Sequence, residues 1–215
     1  MSEPLNPYFQ VGLDVRNQPC LVIGGGEEGE EKSGRLLAAG ADLTVVSPRL
    51  TERLGQWVTA GQLRHRPRRF ELDDLTGAFL VLNTVRGDHQ LSRQVYERAR
   101  RDRILVNCYD SPDYSNFGMV ALVAAGHLRL AISTSNASPS LAGRLRQDLE
   151  QLFDAQFVEY IEQLARVRAH LKAVEGDSRR RFDLLRELVT DFQLSGVLSY
   201  PPGWRQRVAE LLARR

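Results

Sequence analysis

Leu21-Val22-Ile23-Gly24-Gly25-Gly26-Glu27-Glu28-Gly29 is the stretch that decides the fold of this 215-residue chain. An apolar run that stops at three glycines and continues into helix-compatible residues predicts a buried strand that turns tightly into a helix. Gly24, Gly26 and Gly29 satisfy G-x-G-x-x-G, in which the glycines allow a sharp turn, close approach to a pyrophosphate and tight helix packing. A second apolar strand follows at residues 43–46, so we interpret the stretch as a dinucleotide site rather than a structural turn alone.

Strands and helices alternate along the first half of the chain. After the first two strands, the sequence predicts strands at 62–66, 78–82 and 104–108 and helices at 50–59 and 89–101. This alternation predicts a doubly wound, parallel α/β sheet. Ligands of such sheets bind at the carboxyl ends of the strands, where residues 83–88 and 109–113 form polar loops.

The pattern changes after the fifth predicted strand. Residues 117–123 and 128–133 are apolar segments around a short turn, which predicts a hairpin outside the parallel repeat. Residues from 154 onward carry apolar stripes at helical spacing. We therefore divide the chain into three predicted parts: a Rossmann-like NAD-binding domain at 1–112, a dimerisation region of hairpin plus helix at 113–153, and a helical domain at 154–215.

The predicted hairpin also indicates an assembly. It is apolar on nearly every residue, which is more than a two-stranded ribbon with one covered face requires. We expect a second subunit to cover the other face, so the sequence predicts a homodimer.

Composition excludes several classes of protein. Lys+Arg 29 against Asp+Glu 27 gives a net charge of +2, which does not favour nucleic-acid binding. No apolar stretch approaches the ~20 residues of a membrane span and the start lacks a signal-peptide pattern, so we expect a cytoplasmic protein without membrane contact. Cys20 and Cys108 are expected in the core. The four histidines lie in unrelated elements, so no resident metal site is predicted.

Three polar features are candidates for chemistry, and each has a structural alternative. Asp110 follows the fifth strand at the edge that carries the glycine turn, but Asp before Ser-Pro is also good turn chemistry. The loop at 133–137 and the helix start at Ser138-Pro139 can hold substrate carboxylates, or can serve only as a helix cap. The basic residues at 64–69 can face an anion, although a solvated edge is favoured.

Roughly the first 150 residues contain a series of short motifs in this order: Val22-Ile23-Gly24-Gly25-Gly26, Ala39-Gly40-Ala41, Thr44-Val45-Val46-Ser47-Pro48, Phe79-Leu80-Val81, Val106-Asn107, Asp110 with Pro112, Phe117, Ala131-Ile132-Ser133-Thr134 and Ala137-Ser138-Pro139. In these motifs the chain resembles the precorrin-2 dehydrogenase / sirohydrochlorin ferrochelatase family, which also forms the N-terminal module of siroheme synthase. The resemblance implies NAD-dependent oxidation of precorrin-2 to sirohydrochlorin, with iron insertion by some members. It also implies an intertwined homodimer, a tetrapyrrole as substrate and, for a chelatase, ferrous or cobaltous ion as a further substrate.

The expected site follows from these motifs and the resemblance. Asp110 matches the family's catalytic aspartate, whose carboxylate suits removal of protons from the macrocycle. The expected cofactor-binding residues are Gly24, Gly25, Gly26, Glu27, Glu28, Ser47, Pro48, Asn83 and Thr84. The expected substrate-binding residues are Asn107, Thr134, Ser135, Asn136 and Ser138.

Two segments depart from the family's usual sequence. Glu28 and Glu31 stand where a small apolar residue and a basic residue are usual, so negative charge crowds the start of a helix expected to attract a pyrophosphate. The loop at 83–88 differs from the usual sequence and is one residue longer. The alternative is therefore a chelatase-only member or a non-catalytic tetrapyrrole-binding member with weakened use of NAD.

Overall fold

The computed structural model describes residues 9–135, 137–196 and 198–212. Five parallel strands form one sheet in the order β3-β2-β1-β4-β5 and two further strands form a hairpin. The strands are β1 (Pro19–Ile23), β2 (Asp42–Val46), β3 (Arg64–Arg66), β4 (Leu80–Asn83), β5 (Leu105–Cys108), β6 (Ala121–Ala125) and β7 (Leu128–Ile132). The helices are α1 (Glu27–Ala38), α2 (Glu52–Thr59), α3 (His89–Asp102), α4 (Pro139–Glu150), α5 (Ala155–Val174), α6 (Ser178–Glu187) and α7 (Trp204–Leu212), with short 3-10 helices at Leu72–Leu75 and Pro112–Tyr114.

The sheet has a separate hydrophobic core on each face, which confirms the predicted doubly wound arrangement. Val22 of β1 packs in one core with Leu36 of α1, whereas Leu21 and Ile23 pack in the other with Val95 of α3. This is the period-two alternation of a strand that is covered on both sides. Cys20 and Cys108 lie buried in these cores as free thiols, as the sequence predicted.

The strand register brings the carboxyl ends of the strands to one level. Ile23 of β1 pairs with Val46 of β2 and with Asn83 of β4, and Asn83 pairs in turn with Cys108 of β5. Three loops follow these strand ends: the glycine turn after β1, residues 83–88 after β4, and the loop with Asp110 after β5. They therefore leave the sheet side by side.

Helix caps fix where the helices begin. Asp88 Oδ1 accepts a hydrogen bond of 2.8 Å from the Leu91 amide at the start of α3. Ser138 Oγ accepts one of 3.2 Å from the Leu141 amide, with Pro139 at the first position of α4. The predicted cap at Ser138-Pro139 is confirmed.

Ion pairs occupy much of the basic edge at β3. Arg64 pairs with Asp42 at 2.7 Å, and Asp74 accepts hydrogen bonds from both Arg66 and Arg68. Burial opposes the charged form of Asp74, but the hydrogen bonds from Arg68, the Glu71 amide and Arg66 outweigh it and lower the pKa of this carboxyl to about 2. These contacts support the interpretation of the basic residues as a structural, solvated edge.

The chain forms two compact units. One contains the described residues up to Ala124 together with Arg129–Leu152, and the other contains Ala125–Leu128 and the described residues from Phe153 onward. In the second unit, the ring of Tyr160 stacks on that of Phe192 and its hydroxyl donates to the Leu188 carbonyl at 2.6 Å. The three-part division drawn from the sequence stays a prediction.

Within the described ranges, no helix is long and apolar enough to cross a membrane.

Candidate active site

Gly24 in the turn after β1 and Gly29 in α1 are required by the fold itself. Gly24 has φ +107°, and a Cβ built there would lie 2.5 Å from Thr84 Oγ1. A Cβ on Gly29 would overlap the carbonyl oxygen of Gly24. The first glycine therefore permits the sharp turn and the third permits α1 to pack closely on it.

Gly26, by contrast, faces open space. It precedes the first residue of α1, and a Cβ placed on it would meet nothing within 4 Å. The space in front of the turn is a cavity of about 410 Å³, lined by Gly24, Gly26, Glu27, Glu28, Gly29, Thr84, Val85 and Arg86. A cavity at a helix start, kept open by a missing side chain, fits a dinucleotide pyrophosphate.

The negative charge of Glu28 has two cationic partners. Lys32 Nζ lies 3.2 Å from Glu28 Oε1, and Arg86 Nη2 lies 3.5 Å from Glu28 Oε2. The Arg86 guanidinium also lies over the ring of Tyr109, with Cζ 4.6 Å from the ring centroid. Glu28 therefore does not present an uncompensated charge to the cavity. The expectation that negative charge at this helix start weakens cofactor binding stays a prediction.

Asp110 lies on a tight turn at the end of β5. The Ser111 amide donates to the Cys108 carbonyl at 3.2 Å, and Asp110 has φ +49°, a left-handed conformation that Asp and Asn tolerate better than most residues. The side chain is exposed, and among the described residues none bonds to its carboxylate. A turn-capping role for this carboxylate would require such a hydrogen bond.

The Asp110 turn forms part of a second cavity, of about 520 Å³. Its lining is Glu28, Lys32, Asn107, Cys108, Tyr109, Asp110, Ser111, Pro112, Ser115, Phe117, Gly118, Met119 and Pro139. Glu28 also lines the cavity at the glycine turn, so the two spaces adjoin. Burial raises the pKa of the Cys108 thiol, which remains a neutral core group and not a nucleophile.

Other residues that were expected to bind the cofactor are instead used in hydrogen bonds and packing next to the glycine turn. Asn83 is buried, and its amide group donates to Ser92 Oγ at 3.1 Å while its carbonyl oxygen accepts from the Val85 amide. Ser47 is also buried, with its carbonyl 2.9 Å from His65 Nε2. Gly25 packs against the residues that follow Ser47.

Of the remaining expected cofactor residues, Glu27 and Pro48 are both exposed, but only Glu27 is among the residues that line the cavity.

The residues expected to bind substrate are only partly brought together. Asn107 lines the Asp110 cavity, with its amide group donating to the Phe117 carbonyl at 2.9 Å. Thr134 Oγ1 accepts from the Ser138 amide, and the Ser138 hydroxyl is the cap of α4, so both hydroxyls are used within the loop. Ser135 has φ +50°. Thr134, Ser135 and Ser138 are all absent from the lining of the Asp110 cavity. Asn136 lies outside the described residues.

Two cationic residues were missed by the sequence reasoning. Lys32 lines the Asp110 cavity and Arg86 lines the glycine-turn cavity. The spacing of Glu28 and Lys32, four residues apart on α1, is the sequence signal for the first. The unusual loop after β4 is the signal for the second.

Among the described residues, no group of three His, Cys, Asp or Glu side chains converges as a metal site would require.

The parallel sheet and the glycine-turn cavity define an NAD(P)-binding protein with a Rossmann-like fold. A family model described as "Putative NAD(P)-binding" matches residues 11–121. Precorrin-2 dehydrogenase of Priestia megaterium is 30% identical over 190 residues, which cover 88% of this chain and 93% of that protein. The chain belongs to the precorrin-2 dehydrogenase family.

Further relatives agree with this assignment. The solved structure of "SirC, precorrin-2 dehydrogenase" superimposes with a TM-score of 0.76 at 29% identity, covering 86% of this chain and 90% of that one. Siroheme synthase of Methylobacillus flagellatus is 34% identical over 188 residues, or 86% of this chain. The match covers 40% of that siroheme synthase, so the chain corresponds to less than half of the longer protein.

Proposed function

We propose that this protein oxidises precorrin-2 to sirohydrochlorin with NAD, in siroheme biosynthesis. The observation that carries the proposal is the adjacency of two cavities. The Asp110 carboxylate, which no described residue engages, lines a cavity that shares Glu28 with the cavity at the glycine turn. A bound substrate and a bound dinucleotide would thus be neighbours, as direct hydride transfer requires.

The reaction removes one hydride and one proton from the macrocycle. NAD, when bound, supplies the acceptor for the hydride. Asp110 is the base that takes the proton, because its carboxylate is accessible and held at the mouth of β5 by the turn. The turn follows directly on β5, which is paired with β4 up to Cys108.

Lys32 places positive charge on the wall of the same cavity. Precorrin-2 is a polycarboxylate, so a cation at this position favours its binding. The Nζ group is shared with Glu28 and with Glu31, which hold it in place at 3.2 and 2.5 Å.

The test is incubation of the purified protein with enzymatically made precorrin-2, with and without NAD, followed by absorption spectroscopy. We expect formation of sirohydrochlorin only when NAD is present, with matching formation of NADH. Absence of oxidation at saturating NAD, in a protein shown to bind precorrin-2, would replace this proposal with the non-catalytic alternative.

Metal insertion into sirohydrochlorin is a second candidate activity. The Asp110 carboxylate suits it as well, because pyrrole N–H protons must leave as ferrous or cobaltous ion enters. Relatives named siroheme synthase favour this addition, although the chain corresponds to a minor part of them. Adding either ion after the oxidation step and following the spectrum separates a bifunctional enzyme from a dehydrogenase.

We also propose that the protein acts as a homodimer in the cytoplasm. Large apolar side chains of the helical unit are exposed in the single chain, such as Phe182 at 64% and Leu198 at 75%. The two free cysteines are compatible with a reducing compartment. Sedimentation equilibrium at micromolar concentration tests the assembly, and a monomer there would refute it.

A further inference from the structure

Arg86 contacts the walls of both cavities. It lines the glycine-turn cavity, and its Nη2 lies 3.5 Å from Glu28, which lines both spaces. Its guanidinium is stacked on Tyr109, the residue before Asp110. Among the described residues that line the glycine-turn cavity, Arg86 is the only cation.

We propose that Arg86 binds the pyrophosphate of the dinucleotide while it offsets the charge of Glu28. The inference rests on the proposed use of NAD at the glycine turn. A guanidinium has five donors in a planar fork, so the ion pair with Glu28 at 3.5 Å leaves donors available for phosphate oxygens. The side chain is 70% exposed, which keeps those donors accessible.

Two contacts favour this position of Arg86. The guanidinium lies over the Tyr109 ring, and its Nη2 forms an ion pair with Glu28. Lys32 lines the Asp110 cavity and is not among the residues that line the glycine-turn cavity, so it does not take this place. Glu28 and Arg86 also lie in the two segments that depart from the family's usual sequence, and the structure places these departures in contact.

Calorimetric titration of NAD and of ADP-ribose tests the proposal without any turnover. We expect Arg86→Ala to weaken both by about 10- to 100-fold, the effect of losing a charge-assisted hydrogen bond. The matched control is Arg93→Ala, which removes an exposed arginine that is paired with Glu97 and lines neither cavity. This control should bind both ligands as the parent does.

A double-mutant cycle tests the link to Glu28. Glu28→Gln should change NAD affinity little while Arg86 is present, but should tighten binding several-fold in the Arg86→Ala background, where the glutamate keeps Lys32 but has lost its cationic partner in the glycine-turn cavity. Equal effects in the two backgrounds would overturn the pairing role.

The remaining outcomes separate this inference from the function it rests on. Parent-like affinity of Arg86→Ala for NAD refutes the inference and leaves the dehydrogenase proposal intact. A parallel titration with sirohydrochlorin gives a further outcome. If Arg86→Ala weakens binding of sirohydrochlorin but not of NAD, Arg86 is assigned to a substrate carboxylate and the pyrophosphate role is refuted. Failure of the parent protein to bind NAD at all refutes both proposals.

Discussion

Gly24 and Gly26 are two residues apart, yet the structure predicts opposite consequences for side chains at the two positions. Gly24→Ala should damage the fold and Gly26→Val should damage cofactor binding. At Gly24 the backbone has φ +107° and a Cβ would lie 2.5 Å from Thr84 Oγ1, whose hydroxyl donates to the Ile23 carbonyl at 2.9 Å. At Gly26 a Cβ would extend into the glycine-turn cavity.

The magnitudes follow from these contacts. At Gly24, the strained backbone costs an alanine about 1–3 kcal/mol. Displacement of Thr84 from its buried hydrogen bond adds about 1 kcal/mol, giving a loss of roughly 2–4 kcal/mol in the free energy of unfolding. At Gly26, valine is a poorer residue before a helix and costs about 1 kcal/mol. Lost hydrogen bonds to the pyrophosphate should weaken NAD binding about 10- to 100-fold.

Urea unfolding and calorimetric titration of NAD measure the two effects on the same samples. The expected pattern is a large loss of stability for Gly24→Ala and a large loss of affinity, with a nearly parental fold, for Gly26→Val. Parental NAD affinity in Gly26→Val would show that the glycines serve the turn alone. Parental stability in Gly24→Ala would refute the strain argument.

Asp110→Asn keeps a residue that tolerates φ +49° and should slow precorrin-2 oxidation by about 10²–10⁴-fold with NAD affinity unchanged. The control is Asp113→Asn, because Asp113 does not line the Asp110 cavity. A parental oxidation rate in Asp110→Asn would show that Asp110 is only a turn residue. Asp74→Asn should lower the free energy of unfolding at pH 7 by about 2 kcal/mol, because a carboxyl whose pKa falls from 3.8 to about 2 on folding stabilises the fold above pH 4. That contribution should disappear from the parent between pH 4 and 2, and identical urea curves for both proteins at pH 7 would contradict it. Ser138→Ala should cost about 1 kcal/mol, whereas Ser138→Asp should restore both stability and activity if the hydroxyl only caps α4.

The sheet and the glycine turn were predictable because they depend on local patterns. A short continuous apolar run identifies a strand that is covered on both faces, and Gly24 and Gly29 are needed where a Cβ would strike Thr84 or the turn itself. The cap at Ser138 is equally local, because the bond spans three residues.

The composition of the site was less predictable because it depends on contacts between distant segments. Glu28 and Arg86 are 58 positions apart in the sequence (86 − 28), and no periodicity indicates that they meet. Asn83 lies at the correct end of β4, but whether its side chain faces the cavity or the core depends on Ser92 of α3. Sequence patterns place residues at a sheet edge, whereas tertiary hydrogen bonds decide which of them face the ligand.

The level alignment of the strand ends at Ile23, Asn83 and Cys108 has a consequence for how such a protein can change over evolution. Residues 84–88 of this loop lie beyond the last paired residue of β4, so a change of length there leaves the pairing of β4 with β5 intact. Loop length after β4 can therefore vary without changing the strand pairing that places Asp110 at the end of β5. The lining of the glycine-turn cavity can thus diverge among related proteins while the sheet stays the same.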